Sequence, residues 1–124
     1  MKVVLIIMFC IVVFCVLHYL FPIVQVIGDS MYPTYLDGEI IFGTRLFRKS
    51  KLKKGDVVLY ECPTDDKTVI KRIDCVDKRS NGLYFYCLGD NPPKSHDSRY
   101  YGFVSSKKLV CKVINQRRNY NVCN

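Results

Sequence analysis

The chain has 124 residues, of which 49% are hydrophobic, and its 19 basic and 11 acidic residues give a formal net charge of +8. This length accommodates one compact domain and excludes a multidomain enzyme. The sequence has no repeat, heptad series or low-complexity tract, which excludes a solenoid and argues against disorder. A DNA-binding interpretation of the charge lacks a predicted helix that could enter a groove, so we expect no nucleic-acid partner.

Residues 3–23 form a nearly continuous apolar segment, and residues 3–28 contain no Asp, Glu, Lys or Arg. A membrane-spanning helix needs about 20 apolar residues, whereas the apolar core of a cleaved signal peptide has about 7–15 and precedes small residues. The chain has no alanine, and its apolar run continues past His18 to Ile27. We therefore predict a retained transmembrane anchor over residues 1–23, followed by one domain over residues 24–124. A cleaved signal peptide is the alternative.

Charge does not determine the orientation of this anchor. Lys2 and the α-amine flank one side of it, and six basic residues lie between positions 45 and 54 on the other side. The positive-inside rule counts charges within about 15–20 residues of the span, and the basic cluster begins beyond that window. Both topologies therefore stay open at this point.

The seven cysteines also do not determine whether the domain lies in an oxidising or a reducing compartment. Two of them lie in the predicted span, and five lie in the domain: Cys10 and Cys15, then Cys62, Cys75, Cys87, Cys111 and Cys123. They include no C-x-x-C pair and no zinc-site spacing, so we expect neither a metal nor another cofactor. Most of these cysteines are expected to be buried free thiols, and one disulfide can form if the domain is extracellular.

The rest of the chain alternates short strands with turns. Five runs rich in β-branched and aromatic residues predict strands over residues 39–42, 56–60, 68–73, 83–88 and 109–114. Asn81-Gly82 separates two of these runs and is a strong signal for a two-residue hairpin turn. No part of the domain shows helical periodicity. We therefore expect a mostly β protein, in which an antiparallel sheet is tethered by one N-terminal helix.

Ser30 lies in the segment GDSMYPT, between a glycine-containing turn and a proline, a few residues after the predicted span. A serine hydroxyl becomes a useful nucleophile only when a neighbouring base takes its proton. From this segment alone, a turn serine that hydrogen-bonds locally is the more common outcome.

Lys71 lies in the predicted strand TVIKRI, where alternation places it on one face with Val69 and Ile73 and places Arg72 on the other face. Desolvation among hydrocarbon lowers the pKa of an amine, and a lysine general base has to be neutral. The alternative is a lysine at a strand edge that extends its ammonium group into water.

The loop GDNPPKSHDSR concentrates hydrogen-bond donors and acceptors over residues 89–99. Asp90 and Asp97 are candidates to bind Arg99, and Ser95 is a candidate to hydrogen-bond an amine. A polar turn has the same composition. His96 sits beside an aspartate in this turn and is expected to face solvent.

Taken in order behind an N-terminal span, the segments GDSMYPT, GDVVLY, VIKRI and GDNPPKSHDSR-YYG closely resemble those of the bacterial type I signal peptidases. The resemblance covers residues 28–102, and its last segment is the most specific one. It implies a small coiled antiparallel sheet of the kind that signal peptidases and LexA share. It also implies that Ser30 is the nucleophile and that Lys71 is its general base.

The same resemblance assigns supporting residues to the loop that carries the last segment. It places Ser95 near the amine of Lys71, and it implies an ion pair between Asp90 and Arg99, with Asp97 bracing the site.

The chain also departs from the family pattern. It has Gly28 where some members carry a serine two residues before the nucleophile, so the oxyanion hole is expected to use backbone N–H groups, chiefly that of Ser30. Only one hairpin is expected between Lys71 and Asp90, where the family often inserts a second subdomain.

The implied function is that of a membrane-bound serine endopeptidase that cleaves N-terminal signal peptides from exported preproteins. The resemblance places its catalytic domain on the extracytoplasmic face of the plasma membrane. Signal peptides and membrane lipid are then its expected partners, the secretion translocon is a candidate partner, and the substrate is expected to bind as an added strand near Ser30.

Two other functions remain open from the sequence. One is a LexA-like Ser-Lys autoprotease, against which the span and the GDNPPKSHDSR loop argue. The other is an inactive membrane-anchored β module whose basic stretch, residues 45–54, contacts anionic lipid. A solvated loop is the more common fate of such a charge run.

Overall fold

A single helix, α1 (Lys2–Leu20), opens the computed structural model, which describes residues 1–117. None of the residues of α1 is buried, and the helix is long and apolar enough to cross a membrane, with a mean hydropathy of 3.0. It ends three residues before the predicted limit, and Ile23 already belongs to a strand. The reason is Pro22, because proline has no N–H for the helix ladder and disfavours helical geometry in the residue before it.

Seven strands follow the helix. They are β1 (Ile23–Gln25), β2 (Ile40–Thr44), β3 (Val57–Glu61), β4 (Thr68–Arg79), β5 (Gly82–Leu88), β6 (Val104–Ser105) and β7 (Leu109–Val113). They form one open antiparallel sheet in the order β1-β2-β7-β3-β4-β5-β6. The predicted fold class is therefore confirmed, and each of the five predicted strands is present.

The β4–β5 hairpin is the longest feature of the sheet. Arg79 pairs with Gly82, so the two turn residues are Ser80 and Asn81, one position before the predicted pair Asn81-Gly82. Gly82 opens β5 with a φ of 139°, a conformation open to glycine. Strand β4 extends six residues beyond its predicted end at Ile73, past an irregularity between Ile73 and Cys75. The second helix, α2 (Ser98–Tyr101), has only four residues and is too short to show a periodic pattern.

The two faces of the sheet carry separate hydrophobic clusters. Along β3, Val57 and Leu59 pack into one cluster, whereas Val58 and Tyr60 pack into the other. In β4, Ile70 belongs to the first cluster, and Val69 and Ile73 belong to the second. Alternation along β4 therefore places Lys71 on the face predicted from the sequence.

The cysteines of the described part of the chain are all free thiols. Three of them are buried and three are exposed: Cys62, Cys87 and Cys111, then Cys10, Cys15 and Cys75. Buried free thiols are therefore confirmed for half of these six, and Cys123 lies outside the described residues.

Candidate active site

Ser30 is presented by a tight turn that is anchored in the core. The N–H of Tyr32 donates to the carbonyl of Asp29 at 3.1 Å, and the N–H of Tyr35 donates to the carbonyl of Met31 at 3.0 Å. Met31 and Tyr35 are completely buried in the first hydrophobic cluster. Burial of these two side chains holds the turn against the sheet, so Ser30 has a defined position beside β4.

Lys71 extends from β4 to this turn. Its Nζ donates a hydrogen bond of 2.7 Å to Oγ of Ser30, although the two residues are 41 positions apart in the chain. Lys71 is only 4% exposed, which excludes the alternative of a strand-edge lysine with its ammonium in water. The structure thus brings together the two residues that the resemblance assigns to catalysis.

The surroundings of Lys71 favour its neutral form. Burial lowers the pKa of the amine, and the negative charge of Asp97 opposes that shift without reversing it, as do smaller effects of Cys62 and Asp90. Desolvation has this direction because a charged amine loses more hydration than a neutral one. A neutral Lys71 has a free lone pair that can accept the proton of Ser30.

Ser30 and Lys71, the candidate dyad, line a cleft of about 300 Å³ between strands β1 and β4. Strand β1 pairs with β2 on one side, and within the described residues its other edge is free. Residues 68–71 of β4 pair with β3, but the pairing of β4 with β5 begins only at Arg72. Two open strand edges therefore border the cleft, and its lining includes Val24, Val26, Ile27, Leu59 and Ile70.

The backbone of Ser30 also offers a donor to the cleft. Within residues 1–117, the N–H of Ser30 donates to no protein acceptor, whereas the nearby N–H of Gly28 donates to Oδ1 of Asp37 at 2.8 Å. Gly28 has a φ of 85°, which a glycine adopts without strain. The turn is thus held by Asp37 and leaves the N–H of Ser30 available for an oxyanion.

Asp97 is the centre of a buried hydrogen-bond network behind the dyad. Its Oδ2 accepts from the N–H of Gly89 at 2.8 Å and from the hydroxyl of Ser95 at 2.6 Å. Its carboxylate also accepts from the backbone N–H and the guanidinium of Arg99. Burial opposes ionisation of Asp97, but the hydrogen bonds from Arg99, Gly89 and Ser95 outweigh it and lower the pKa to about 2.

The predicted ion pair between Asp90 and Arg99 is wrong. Arg99 pairs with Asp97, and Asp90 forms a two-pronged pair with Arg72, at 3.0 Å from Nε and 2.7 Å from Nη2. The register of β4 and β5 explains why Arg72 rather than Arg99 binds Asp90, because Arg72 pairs with Leu88, two residues before Asp90. Asp97 instead caps the first turn of α2 and lies two residues from Arg99.

The hydroxyl of Ser95 donates to Asp97, and the hydrogen bond of the Lys71 amine goes to Ser30. The predicted position of Ser95 beside the amine stays a prediction. His96 is exposed and stacks on Tyr100, as expected for a solvent-facing residue.

Two positions that sequence reasoning missed join the loop to the nucleophile. A Cβ atom on Gly89 would lie 2.1 Å from Oγ of Ser95 and 2.6 Å from the carbonyl oxygen of Ser30, so only glycine fits there. Asn91 donates its backbone N–H to that same carbonyl at 3.0 Å, and its side chain donates to the carbonyl of Asp29 at 2.9 Å. The GDN run at the start of the loop is the available signal, but the same residues are typical of an ordinary turn.

Comparisons with known proteins agree with this geometry. The family model described as signal peptidase, peptidase S26, matches residues 1–76 and 80–115. Mitochondrial inner membrane protease subunit 1 of Mus musculus is 32% identical over 107 residues, which cover 71% of this chain and 64% of the relative. The signal peptidase complex catalytic subunit SEC11C of Canis lupus familiaris is 32% identical over 71 residues, which cover 56% of this chain and 36% of the relative. The chain thus spans about two thirds of one relative and about one third of the other, and it belongs to the signal peptidase family, peptidase S26.

Proposed function

We propose that this chain is a serine endopeptidase of the bacterial type I kind, which cleaves N-terminal signal peptides from exported preproteins with Ser30 as nucleophile and Lys71 as general base. The 2.7 Å hydrogen bond between Nζ of Lys71 and Oγ of Ser30 carries this proposal. A base has to lie within hydrogen-bond reach of the proton that it removes, and a base near neutral pH has to be uncharged. Burial of Lys71 supports the second condition.

The reaction starts when neutral Lys71 accepts the hydroxyl proton of Ser30 as Oγ attacks the carbonyl carbon of the scissile bond. The carbonyl oxygen becomes an oxyanion next to the N–H of Ser30, and one such donor contributes about 3–4 kcal/mol to the transition state in comparable sites. Protonated Lys71 then gives its proton to the leaving amine as the C–N bond breaks. Water, deprotonated by Lys71, attacks the acyl-enzyme ester and releases Ser30.

The cleft accommodates a substrate in extended conformation. The free edges of β1 and β4 offer backbone donors and acceptors to an added strand, which is a common way to bind a peptide. Alternate side chains of such a strand point to the same side, so every second one would enter the cleft. Its small volume and its apolar lining, including Val24 and Ile70, favour small uncharged side chains in those positions.

The loop residues support the dyad in this proposal rather than reacting themselves. Asp97 holds Ser95 and the N–H of Gly89, and Gly89 packs directly on the carbonyl of Ser30. Asp90, bound to Arg72, ties the start of the loop to β4 next to Lys71. Arg99 neutralises the buried charge of Asp97.

We further propose that residues 1–23 are a retained single-pass anchor and that residues 24–124 form the catalytic domain outside the cytoplasm. The exposed apolar helix supports the anchor, and Ser30 follows the helix end by only ten residues. In a bacterial type I enzyme the membrane is the plasma membrane, where signal peptides arrive after crossing. Membrane lipid surrounds the anchor in this arrangement, and the secretion translocon delivers the substrate.

The test is cleavage of a model preprotein by the full chain in detergent. Ser30→Ala and Lys71→Ala are each expected to lower kcat/KM by roughly a thousandfold or more, since catalytic groups that act as a unit fail together. The matched controls are Ser80→Ala and Lys78→Ala, which change exposed residues and are expected to leave the rate unchanged. An unmodified chain that cleaves nothing indicates an inactive β module, and one that cleaves only itself indicates a LexA-like autoprotease.

A further inference from the structure

Arg45 forms the joint between the apolar helix and the sheet. Its backbone N–H donates to the carbonyl of Leu20 at 2.8 Å, and its guanidinium donates to the carbonyl of Tyr19. The guanidinium carbon also lies 4.4 Å from the centre of the Tyr19 ring. One residue of the domain thus binds the last two residues of α1 in three ways.

These contacts satisfy groups that are costly to leave free at the end of a membrane helix. The last carbonyls of a helix have no partner within it and carry a partial negative charge, which a cation stabilises. Near hydrocarbon an unsatisfied carbonyl is especially unfavourable, and tyrosine is a common residue at the interface. The Arg45 guanidinium satisfies the carbonyl of Tyr19 and places a positive charge at the negative end of the helix. The orientation of the helix relative to the sheet therefore depends on Arg45.

The sheet connects this joint directly to the dyad. Thr44, next to Arg45, pairs with Lys112 of β7. Lys112 pairs in turn with Val58 of β3, and Val58 pairs with Lys71 of β4. This row of backbone pairs crosses three strand spacings, or roughly 14 Å, since neighbouring strands lie 4.7–4.9 Å apart. A continuous row of paired residues therefore connects the point where the span is attached to Lys71.

We propose that Arg45 is a positioning residue that fixes the height of the Ser30–Lys71 dyad above the bilayer and thereby selects the bond that is cleaved in a membrane-held substrate. The inference rests on the proposed function. Both partners are then held by the same membrane, one through α1 and the other through its own apolar segment. A loose joint lets the dyad sample several heights, whereas a rigid joint presents it to one peptide bond.

The first test compares two substrates with the same cleavage sequence, a soluble peptide and a peptide preceded by an apolar membrane-spanning segment. The full chain is reconstituted in phosphatidylcholine vesicles, and products are identified by mass spectrometry. Arg45→Ala is expected to cleave the soluble peptide normally, to cleave the membrane-held substrate about tenfold more slowly, and to cut it at more than one bond, because small misplacements are costly in catalysis. Arg45→Lys, which keeps the cation, is expected to retain part of the rate and most of the selectivity.

Arg48→Ala is the matched control, since Arg48 is exposed and binds no carboxylate within residues 1–117. The control is expected to behave as the unmodified chain on both substrates. Unchanged rate and unchanged cleavage position in Arg45→Ala overturn the proposal. An equal loss on both substrates also overturns it, because it shows a general structural defect.

A second measurement does not depend on activity. The chain has no tryptophan, so Tyr32→Trp places a single fluorophore on an exposed position two residues from Ser30. Lipids brominated at different depths are expected to quench it over a narrow depth range in the parent and over a broader or shifted range after Arg45→Ala. Identical quenching profiles contradict the role of Arg45, whereas an inactive parent with the expected profiles contradicts the proposed function alone.

Discussion

Lys71 and Asp97 are two buried ionisable side chains at the same site, and they differ in what their neighbours supply. Lys71 is 4% exposed and Asp97 is completely buried. Lys71 meets one hydroxyl, that of Ser30, whereas Asp97 accepts hydrogen bonds from Gly89, Ser95 and Arg99. Both pKa values are lowered, which favours the neutral form of the lysine and the charged form of the aspartate.

The different hydrogen-bond partners of Lys71 and Asp97 have different chemical consequences. An amine that lacks a carboxylate partner in direct contact gives up its proton, and it can then take one from a nucleophile. A carboxylate that is fully hydrogen-bonded stays ionised and holds the groups that donate to it. The same burial therefore favours a neutral amine in Lys71 and leaves a charged, hydrogen-bonded carboxylate in Asp97.

The largest expected effect is that of Lys71→Met, which replaces the amine by an apolar chain of similar length. Activity is expected to fall by roughly a thousandfold or more, since Lys71 is the proposed base and its Nζ is the hydrogen-bond partner of Oγ of Ser30. The melting temperature at neutral pH is expected to rise, because burying an ionisable amine costs free energy that an apolar side chain does not. Thermal melts followed by circular dichroism, with Lys78→Met as an exposed control on the same strand, measure this.

The pH dependence of that stability gain has a defined sign. The folded-state pKa of Lys71 lies below the unfolded value, so the unfolded chain binds more protons and stability rises with pH. The advantage of Lys71→Met is therefore expected to be largest below the folded pKa and to shrink as pH rises toward about 10.4, the ordinary lysine value. A gain that grows with pH contradicts the desolvated amine.

The second effect concerns Asp97→Asn, which is expected to lower the free energy of unfolding by about 2–4 kcal/mol through the loss of charge-assisted hydrogen bonds. Asp77 offers a matched control, because Asp77 and Arg79 form an exposed pair with the same spacing as Asp97 and Arg99. Asp77→Asn is expected to cost at most about 1 kcal/mol. Urea titration of both variants in detergent compares them, and equal losses contradict the special role of Asp97.

That loss should also disappear in acid. The pKa of Asp97 is lowered to about 2, so its stabilisation is present above the ordinary aspartate value of about 3.9 and is lost as pH falls toward 2. The difference between the parent and Asp97→Asn is therefore expected to be constant near neutral pH and to narrow below about pH 4. A constant difference down to the lowest pH indicates a packing defect instead.

The sequence predicts most of this fold because strand alternation and turn residues are local signals. Strands β2, β3, β4, β5 and β7 carry such signals, and Asn81-Gly82 marks the β4–β5 hairpin to within one residue of its turn. Strands β1 and β6 do not, because they have three and two residues, and the former continues the apolar run of the helix. Helix α2 also carries no local signal, because it has only four residues.

The sequence predicts the members of the candidate site but only some of its contacts. The segments around Ser30 and Lys71 single out both residues, and the sheet brings them together. The loop offers both Asp90 and Asp97 to Arg99, and the structure pairs Arg99 with Asp97. The register of β4 and β5, with its irregularity after Ile73, gives Arg72 to Asp90 instead, and such a shift leaves no mark in the sequence.

The smallest expected effect is the influence of the Asp97 charge on the pKa of Lys71. If Lys71 is the base, kcat/KM on a soluble peptide rises with pH along an acid limb that reports its deprotonation, below the ordinary lysine value of about 10.4. Among the charged neighbours of Lys71, Asp97 raises the pKa of the amine most, since a negative charge favours the protonated form. Asp97→Asn removes that effect, so the acid limb is expected to move to lower pH, at a temperature where the variant is folded. Asp77→Asn is expected to leave the limb in place, and a limb that moves upward or stays unchanged in Asp97→Asn contradicts Lys71 as the titrating group.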